Sequence, residues 1–354
     1  MEDPIENFDT NEEESYEEMQ IVVDKGQSAI RLDHFLVSKF SKISRNRIQN
    51  SIDAGLITLN GKTVKRSHKL SGLEQINVRI PKLIDHSGII PENIPLDIIF
   101  EDESLMVINK QPGMIVHPAA GVYTGTLVNA LAYHFRAADA RSNITEKERF
   151  GLVHRIDKET SGLLVISKSD FVHAHLSKQF FDHSIQREYY ALVWGEPSPI
   201  SGTITANIGR DPKHRQRQFV FADGLEGKNA TTHYELIESY YYTSLVRCVL
   251  ETGRTHQIRV HMKYIGNPLF NDEKYGGDKI VKGTIFNKYK QFVLNCYKLL
   301  PRFALHARSL GFIHPVTNKA LYFEIDMPAD FKQLLDKWRH YTSFRKDLLN
   351  DEEQ

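Results

Sequence analysis

The sequence predicts two folded units: a small α/β module, followed by a larger α+β domain with a mixed, mainly antiparallel central sheet and flanking helices. In the first 80 or so residues, two helical patterns precede a hairpin signal. Beyond residue 96, short β-rich runs recur without the regular strand–helix alternation of a parallel sheet. Hydrophobic residues make up 41% of the 354 residues, enough for a sizeable core, and no apolar run approaches the roughly 20 residues that cross a bilayer.

The net charge of zero conceals an uneven distribution of charge. Residues 1–20 hold nine acidic side chains and no basic one, and residues 351–353 add three more acids. Without these acidic tails, the 45 basic residues face 33 acidic ones, an excess of twelve positive charges on the folded part. Such a body suits a polyanionic partner. The tail at 1–20 is predicted to be disordered, either simply solvated or competing weakly for the basic surface.

The first folded unit is predicted over residues 21–81. An apolar face at helical spacing is formed by Ile30, Leu32, Phe35, Leu36 and Phe40. Ser44 can cap a second helix that ends at Gly55. The strand-like run that follows leads into Asn60-Gly61, the preferred pair for a two-residue hairpin turn. Two helices followed by a small hairpin are therefore expected.

Basic side chains cluster on this module. Only two acids, Asp33 and Asp53, occur between residues 31 and 69. Because a solvated helix face normally mixes both signs, a cluster of one sign predicts a phosphate-binding surface. Its nine members are Arg31, Lys39, Lys42, Arg45, Arg47, Lys62, Lys65, Arg66 and Lys69.

A linker is predicted over residues 82–95, the second unit over 96–340 and an acidic C-terminal tail over 341–354. Strands of the second unit are expected at Leu96–Phe100, Leu105–Asn109, Leu163–Ser167, Glu188–Trp194, His233–Glu238, Ser244–Glu251 and Leu321–Ile325. Helices are expected at Phe171–Asp182, Thr255–Tyr264 and Asp330–Arg339. The stretch from Asp278 to Lys298 fits no element and is interpreted as an insertion or a mobile surface segment.

Four blocks of the second unit carry the residue types of a catalytic site. They are I-N-K-Q-P-G-M-I-V-H-P from Ile108, H-R-I-D-K-E-T-S-G-L-L from His154, R-E-Y-Y-A-L-V-W-G from Arg187 and L-E-T-G-R-T-H-Q-I-R-V-H from Leu250. Two shorter blocks follow, P-L-F-N-D-E-K-Y-G from Pro268 and L-H-A-R-S-L-G-F-I-H-P from Leu305. None of these blocks fits a generic phosphate loop or a metal site.

Asp157 lies in a polar loop ahead of the predicted strand Leu163–Ser167. Loops at strand ends are where rigid scaffolds present catalytic groups. Neighbouring Arg155 and Lys158 favour the ionised carboxylate. Taken alone, the same aspartate can equally serve only to cap the turn before Thr160. The residues by themselves leave both interpretations open.

Taken together, the blocks resemble the catalytic domain of the RluA/RluD-type pseudouridine synthases, from about residue 96 to residue 332. The H-R-I-D-K-E-T-S-G-L block departs from the family pattern only by Ile156 in place of the commoner Leu. The first unit, with R-L-D-H-F-L, S-R-N-R-I and D-A-G-L-I-T-L-N-G-K, resembles the alpha-L RNA-binding module of RluD-like members, although Gly72-Leu73-Glu74 stands where Gly-Asp is usual. The resemblance implies isomerisation of uridine to pseudouridine in structured RNA.

The resemblance also implies three catalytic roles. Asp157 matches the family's essential aspartate, proposed to act as a nucleophile or as the base that removes a ribose proton. Arg254 matches the arginine that pairs with this aspartate and keeps it ionised. Tyr189 matches the tyrosine that stacks on the target uracil and helps to take the proton from its reacting carbon, although a strand tyrosine can also pack in the core.

Four further residues are expected in the substrate cleft. The target base must leave its stack, which costs a few kcal/mol. Arg155 matches the arginine whose planar guanidinium fills the vacated space, and Ile258 would line the uracil pocket. His154 and Lys110 are expected there as supports. Asn271 replaces a glycine common in the family, in a turn that survives because Asn tolerates a left-handed backbone.

No cofactor or metal is expected. An isomerisation has no second substrate and no redox step, and the sequence has no His-Glu-x-x-His or paired-Cys motif. The only cysteines, Cys248 and Cys296, are too few for a disulfide framework, which favours a reducing cytoplasm. The expected partner is structured RNA, with large-subunit ribosomal RNA first and transfer RNA second, bound by a monomer away from membranes.

Two other functions stay open at this point. An RNA N-glycosidase would use Asp157 to hydrolyse the nucleoside bond and would release free uracil. A non-catalytic RNA chaperone or assembly factor would keep the fold without the chemistry. The presence of Asp157, Tyr189 and Arg254 argues against a non-catalytic function.

Overall fold

The computed structural model describes residues 16–40, 43–81, 89–118, 122–139, 151–214, 216–284 and 286–352. Its strands form two sheets, one of four strands and one of eleven. The larger sheet is mixed and mainly antiparallel, and helices flank it, so the α+β prediction is confirmed. Among the helices that the structure describes, none combines the length and the apolar composition that a bilayer-spanning segment requires.

The four-stranded sheet belongs to the N-terminal module. The module's elements are β1 Tyr16–Val22, α1 Leu32–Lys39, α2 Arg45–Asp53, β2 Ile57–Leu59, β3 Lys62–Thr63 and β4 Gln75–Pro81. The strands lie in the order β1-β4-β2-β3 and pair antiparallel. The side chain of Ser44 accepts a hydrogen bond from the backbone N–H of Arg47, as predicted for the cap of α2. Asn60 and Gly61 have φ of 49° and 76°, the left-handed pair that a two-residue hairpin turn requires.

Strand β1 corrects the predicted boundary of the acidic tail. Residues 16–20 were assigned to a disordered tail, but they pair in register with β4, from Tyr16 opposite Pro81 onward. Glu17 and Glu18 are exposed on this edge strand. Charged side chains are common on edge strands because they discourage further pairing. Two of the acids that suggested disorder therefore belong to a protected edge, and the other seven lie in residues 1–15, outside the described residues.

The eleven-stranded sheet belongs to the second unit. Its strands are β5 Ile98–Glu101, β6 Leu105–Lys110, β7 Gly151–Leu152, β8 Ser161–Ser167, β9 Gln186–Trp194, β10 Ser201–Arg210, β11 Gln218–Phe221, β12 Lys228–Ser239, β13 Thr243–Leu250, β14 Leu305–Ile313 and β15 Ala320–Glu324. The helices are α3 Leu127–Asp139, α4 Asp170–Phe181, α5 Gln257–Tyr264, α6 Asn287–Leu299 and α7 Ala329–Glu352. The main order is β11-β10-β12-β13-β9-β14-β8-β6-β5, with β15 beside β14 and β7 beside β8. Only the β14–β8 pair is parallel among the pairs described.

Strand β9 shows how the sheet separates two cores. Side chains alternate across a strand, so Tyr189 and Ala191 join a cluster that contains Ile258 of α5 and Leu131 of α3. Their neighbour Leu192 joins the opposite cluster, built from α6 and α7. The candidate catalytic blocks therefore lie on the α3 and α5 side of the sheet.

Two C-terminal segments differ from the predicted pattern. The stretch 278–298, interpreted as an insertion or a mobile surface segment, contains most of α6, and Tyr289, Val293 and Cys296 are buried. The predicted acidic tail at 341–354 continues α7 as far as Glu352. In α6 the three buried residues recur at i, i+4 and i+7, a helical spacing that the prediction overlooked.

The N-terminal module packs on helix α4. The hydroxyl of Tyr16 donates to the carbonyl of Ser177 over 2.5 Å. The guanidinium of Arg79 lies 4.2 Å from the ring centroid of Phe181. Ala54 and Leu56 of the module share a small apolar cluster with Ala174 and Phe181 of α4. The module is therefore attached to the second unit by apolar and polar contacts, and not only through the linker.

Candidate active site

Asp157 forms an ion pair with Arg259. The Nη1 of Arg259 donates to Oδ2 of Asp157 over 2.8 Å. The carboxylate keeps 21% of its side chain exposed, whereas the Arg259 side chain is 3% exposed. Among the described residues, Oδ1 of Asp157 makes no hydrogen bond, so one oxygen is held and the other faces the opening. The capping role left open by the sequence is filled by the backbone, because the carbonyl of Asp157 accepts from Thr160 N–H over 3.1 Å.

A second carboxylate orients the guanidinium of Arg259. Asp272 is fully buried and accepts from Nε over 2.8 Å and from Nη2 over 3.0 Å, the two-bond geometry that fixes the guanidinium plane. The rings of Phe303 and Tyr275 lie 4.0 Å and 5.0 Å from the guanidinium carbon. Arg259 is thus held by one carboxylate and two rings while its remaining nitrogen reaches Asp157.

The sequence builds this arrangement from one turn and one loop. Helix α5 begins at Gln257, whose Oε1 accepts from the backbone N–H of Arg254 over 3.0 Å. Asn271 has φ of 60°, so the predicted left-handed turn at this position is confirmed. A Cβ at Gly277 would lie 1.7 Å from the carbonyl oxygen of Leu269, so only glycine permits the loop to close around Asp272.

Charge keeps Asp157 ionised. Burial alone would raise the pKa of Asp157, but the charges of His256 and Arg259 and the hydrogen bond from Arg259 outweigh burial, and the pKa lies below 3.8. His256 has a pKa lowered to about 4, chiefly by burial, and is neutral near pH 7. Arg259 is therefore the cation that acts on Asp157 at neutral pH. Burial opposes the charge of Arg259, but Asp272 and Asp157 raise its pKa above the ordinary value.

Lys110 ties the loop of Asp157 to the preceding block. Its ammonium donates to the carbonyls of Gln111, Met114 and Lys158 over 2.8, 3.0 and 2.9 Å. Burial lowers its pKa to about 7. An ammonium has three N–H donors, and all three are used here. Lys110 thus holds the loop of Asp157 in place through all three donors, and its place in the substrate cleft stays a prediction.

The chain is similar in sequence to known RNA-modifying enzymes. A family model described as RNA pseudouridylate synthase matches residues 104–264, and an S4 domain model matches residues 30–76. The ribosomal large subunit pseudouridine synthase D of Zymomonas mobilis is 43% identical over 317 residues, which are 89% of this chain and 96% of the relative. An uncharacterized RNA pseudouridine synthase of Bacillus subtilis is 42% identical over 91% of this chain and 98% of the relative.

The chain belongs to the RNA pseudouridylate synthase family. It is an isomerase that converts uridine to pseudouridine in RNA. The fold agrees, since the human RNA pseudouridylate synthase domain containing 4 superposes with a TM-score of 0.51 at 22% identity, over 69% of this chain and 93% of that one.

In this pseudouridine synthase, Asp157 pairs with an arginine that sequence analysis did not select. Arg259 makes the bond to Asp157 that was expected of Arg254. Arg254 donates from Nε to the carbonyl of Asn229 over 3.0 Å, and it lies in the turn before α5. A contact of Arg254 with the substrate stays a prediction. A signal for Arg259 was present, because an arginine between Ile258 and Val260 on an apolar helix needs a buried carboxylate.

Tyr189 and Ile258 lie together beside the catalytic loop. Both belong to the apolar cluster that also contains Ile156, the residue before Asp157. Arg155, two residues before that aspartate, is exposed. This grouping is compatible with a pocket for a flipped base. The roles in stacking, pocket lining and space filling stay predictions.

His154 makes contacts within the fold, and its supporting place in the substrate cleft stays a prediction. Its Nε2 accepts from the backbone N–H of Val165 over 3.1 Å, and its ring stacks on Phe180 at 4.5 Å. Burial and the charge of Arg187 lower the pKa of His154 to about 3. The neutral ring is thus committed to the contact between β8 and α4.

The basic cluster of the S4 module divides into subsets. Lys42 lies outside the described residues. Arg47 is half-buried beside Asp170 of α4, and burial lowers its pKa, so it belongs to the contact between the units. Arg31 and Arg45 both donate to the buried carboxylate of Asp33 while staying about half exposed. The cluster members that are fully open to solvent are Lys39, Lys62, Lys65, Arg66 and Lys69.

Within the described residues, no group of three or more His, Cys, Asp or Glu side chains is arranged to hold a metal ion. The residues around Asp157 supply a carboxylate and a fixed guanidinium. An ionised carboxylate with one free oxygen can attack a carbon atom or accept a proton. The fixed guanidinium can stabilise the negative charge that this carboxylate carries before and after the step.

Proposed function

We propose that this pseudouridine synthase modifies uridines of large-subunit ribosomal RNA and that Asp157 is its catalytic residue. The observation that carries the proposal is the carboxylate of Asp157, which is held at 2.8 Å by a buried arginine yet remains partly open to the cleft. A second carboxylate, Asp272, fixes that arginine from behind. Such preorganisation is what a reacting carboxylate requires.

The choice of ribosomal RNA is supported by two facts. Relatives from Zymomonas mobilis and Neisseria meningitidis that match most of this chain are named ribosomal large subunit pseudouridine synthase D. The S4 module adds a basic surface that suits a large structured RNA. Transfer RNA is the second candidate. We also propose that the enzyme acts as a monomer in a reducing cytoplasm, which the two buried free thiols of Cys248 and Cys296 support.

Asp157→Asn tests the catalytic assignment. The asparagine keeps the shape and its oxygen can still accept from Arg259, but the charge is lost. We expect pseudouridine formation on ribosomal RNA to be abolished while RNA binding stays at the wild-type level. Tritium release from RNA labelled at uracil carbon 5 measures the first quantity, and filter binding measures the second. Normal turnover by the purified variant would contradict the assignment.

Substrate choice needs a separate experiment. Pseudouridines would be mapped across total RNA from cells with and without the gene, with an Asp157→Asn allele as the matched control. Sites that disappear from large-subunit RNA in both deficient strains would support the proposal. Loss confined to transfer RNA would favour the second candidate. Release of free uracil by the purified enzyme would instead indicate an N-glycosidase.

A further inference from the structure

His256 has an unusual backbone conformation directly beside the catalytic pair. It is the last residue before helix α5, with φ of 55° and ψ of 20°, in the left-handed region. Residues other than glycine and asparagine adopt this region uncommonly, and such outliers concentrate at functional sites. The ring is partly exposed. The centroids of the His256 and Tyr275 rings are 5.6 Å apart, and the Tyr275 centroid lies 5.0 Å from the guanidinium carbon of Arg259, which bonds Asp157.

The hydrogen-bond inventory of Tyr275 determines which nitrogen of His256 carries the proton. The hydroxyl of Tyr275 accepts from the backbone N–H of Gln218 over 2.9 Å and lies 2.8 Å from Nδ1 of His256. Within the described residues the hydroxyl has no third polar neighbour, and Tyr275 is only 3% exposed. A buried hydroxyl proton without an acceptor is costly. The hydroxyl therefore donates to Nδ1, and the neutral ring carries its proton on Nε2.

We propose that Tyr275 positions His256 as a neutral Nε2–H donor to the flipped nucleotide beside Asp157. The inference rests on the proposed catalytic role of Asp157. Its chemical advantage is that a neutral donor can bind an oxygen of the uracil or ribose without neutralising the carboxylate. A protonated imidazole would instead compete with Arg259 for Asp157 and reduce its reactivity.

The charged surroundings support the neutral form. Burial lowers the pKa of His256 to about 4, and the charges of Arg259 and Arg155 act in the same direction, against Asp157 and Asp272. The Tyr275 ring lies across the face of Arg259, with its centroid 5.0 Å from the guanidinium carbon. Tyr275 thus contacts the strand β11, the donor histidine and the catalytic arginine together.

The first test reads the tautomer directly. Nitrogen-15 NMR of the full-length protein, with His256→Gln used to assign the signal, should show the Nε2–H tautomer in the wild type. Tyr275→Phe should shift that signal toward a mixture of both tautomers. The matched control is Tyr289→Phe, which also removes a buried hydroxyl, one bonded to the carbonyl of Lys282, and should leave the signal unchanged. A wild-type ring protonated at Nδ1 would overturn the proposal.

The second test separates a donor from a structural residue. His256→Gln keeps an N–H near the position of Nε2, whereas His256→Asn places its amide near Nδ1 but fits the left-handed backbone better. We expect the asparagine variant to be the more thermostable and the glutamine variant to have the higher kcat, by about tenfold, the value of one hydrogen bond. If the asparagine variant were at least as active, His256 would be structural only.

Failure of this inference can be told apart from failure of the proposed function. Wild-type enzyme and Asp157→Asn are assayed on the same RNA in parallel. A wild type without pseudouridine formation would refute the proposed function while the NMR result stayed readable. A normal wild type with equal Gln and Asn variants would refute only the role of His256.

Discussion

Asp272→Asn is the sharpest test of how the site is held together. Asp272 is completely buried and accepts two hydrogen bonds from Arg259, at 2.8 and 3.0 Å. An asparagine at this position has one acceptor oxygen and sets its amide N–H groups against an N–H of the guanidinium. The buried cation would then share its charge with Asp157 alone, and its plane would no longer be fixed from behind.

The expected effects are large and fall on two quantities. Removal of one partner from a buried ion pair costs about 3–5 kcal/mol of unfolding free energy, a large part of the 5–15 kcal/mol that typical domains possess. For activity, loss of a preorganised electrostatic contact costs about 100-fold in kcat. The second effect arises because Arg259, once free to tilt, no longer keeps its Nη1 at 2.8 Å from Asp157.

Urea unfolding and tritium release measure these two effects, and the chain offers a matched control. Arg302 and Asp330 make the same two-bond contact at 2.9 to 3.2 Å, but Asp330 is 32% exposed. Asp330→Asn should therefore cost less than Asp272→Asn, because solvent still reaches the side chain at position 330. If Asp272→Asn were no more destabilising than Asp330→Asn and retained normal kcat, the argument that Asp272 orients the catalytic arginine would be refuted.

Three further predictions follow from the same structure. Lys110→Met should destabilise the fold by about 3 kcal/mol in urea unfolding, because three carbonyls lose their buried donor. The same change should lower kcat more than RNA affinity, and an unchanged kcat would contradict the role of Lys110 in holding the loop of Asp157. Since its charged neighbours hold the pKa of Asp157 below its usual range, a pH–rate profile should show no acid limb from this carboxylate between pH 5 and 8, and an apparent pKa near 6 that persisted after correction for stability would contradict this. Simultaneous replacement of Lys62, Lys65 and Lys69 by Gln should reduce the slope of log binding constant against log salt concentration by roughly 2 to 3. The kcat at saturating RNA should not change. An identical slope would mean that these lysines face away from the RNA.

Substitutions test the basic surface of the S4 module better than a deletion, because deletion would change stability as well as RNA binding. Removal of residues 1–90 is the simplest test that the sequence suggests. However, Tyr16, Ala54 and Leu56 cover Ala174 and Phe181 of α4. Deletion would therefore expose apolar surface and confound binding with stability, whereas the exposed lysines of the S4 module can be neutralised without loss of that contact.

The elements that the sequence predicted well are those with strong local signals. The cap at Ser44, the turn at Asn60-Gly61 and the left-handed Asn271 each depend on a residue type with a specific conformational preference, and each is present. Helix α6 was missed although its buried residues Tyr289, Val293 and Cys296 recur at helical spacing. What the sequence could not show is the surface that buries them, because the cluster they join includes Trp338 of the distant helix α7.

The choice between Arg254 and Arg259 as the partner of Asp157 could not be predicted from the local sequence. The two arginines stand five positions apart in one block, so composition cannot rank them as partners of Asp157. That aspartate is 102 positions away from Arg259 along the chain. What ranks them is the start of α5 at Gln257, which leaves Arg254 in the turn and carries Arg259 into a helix whose residues Gln257 to Met262 are all buried. A charge inside such a helix must be compensated, and the block from Pro268 supplies a fully buried carboxylate at Asp272. That carboxylate makes two bonds with Arg259, which leaves one nitrogen for a second acceptor, and Asp157 occupies that position. The two-bond contact with Asp272 is thus the physical reason why Arg259 can hold Asp157 in a fixed orientation.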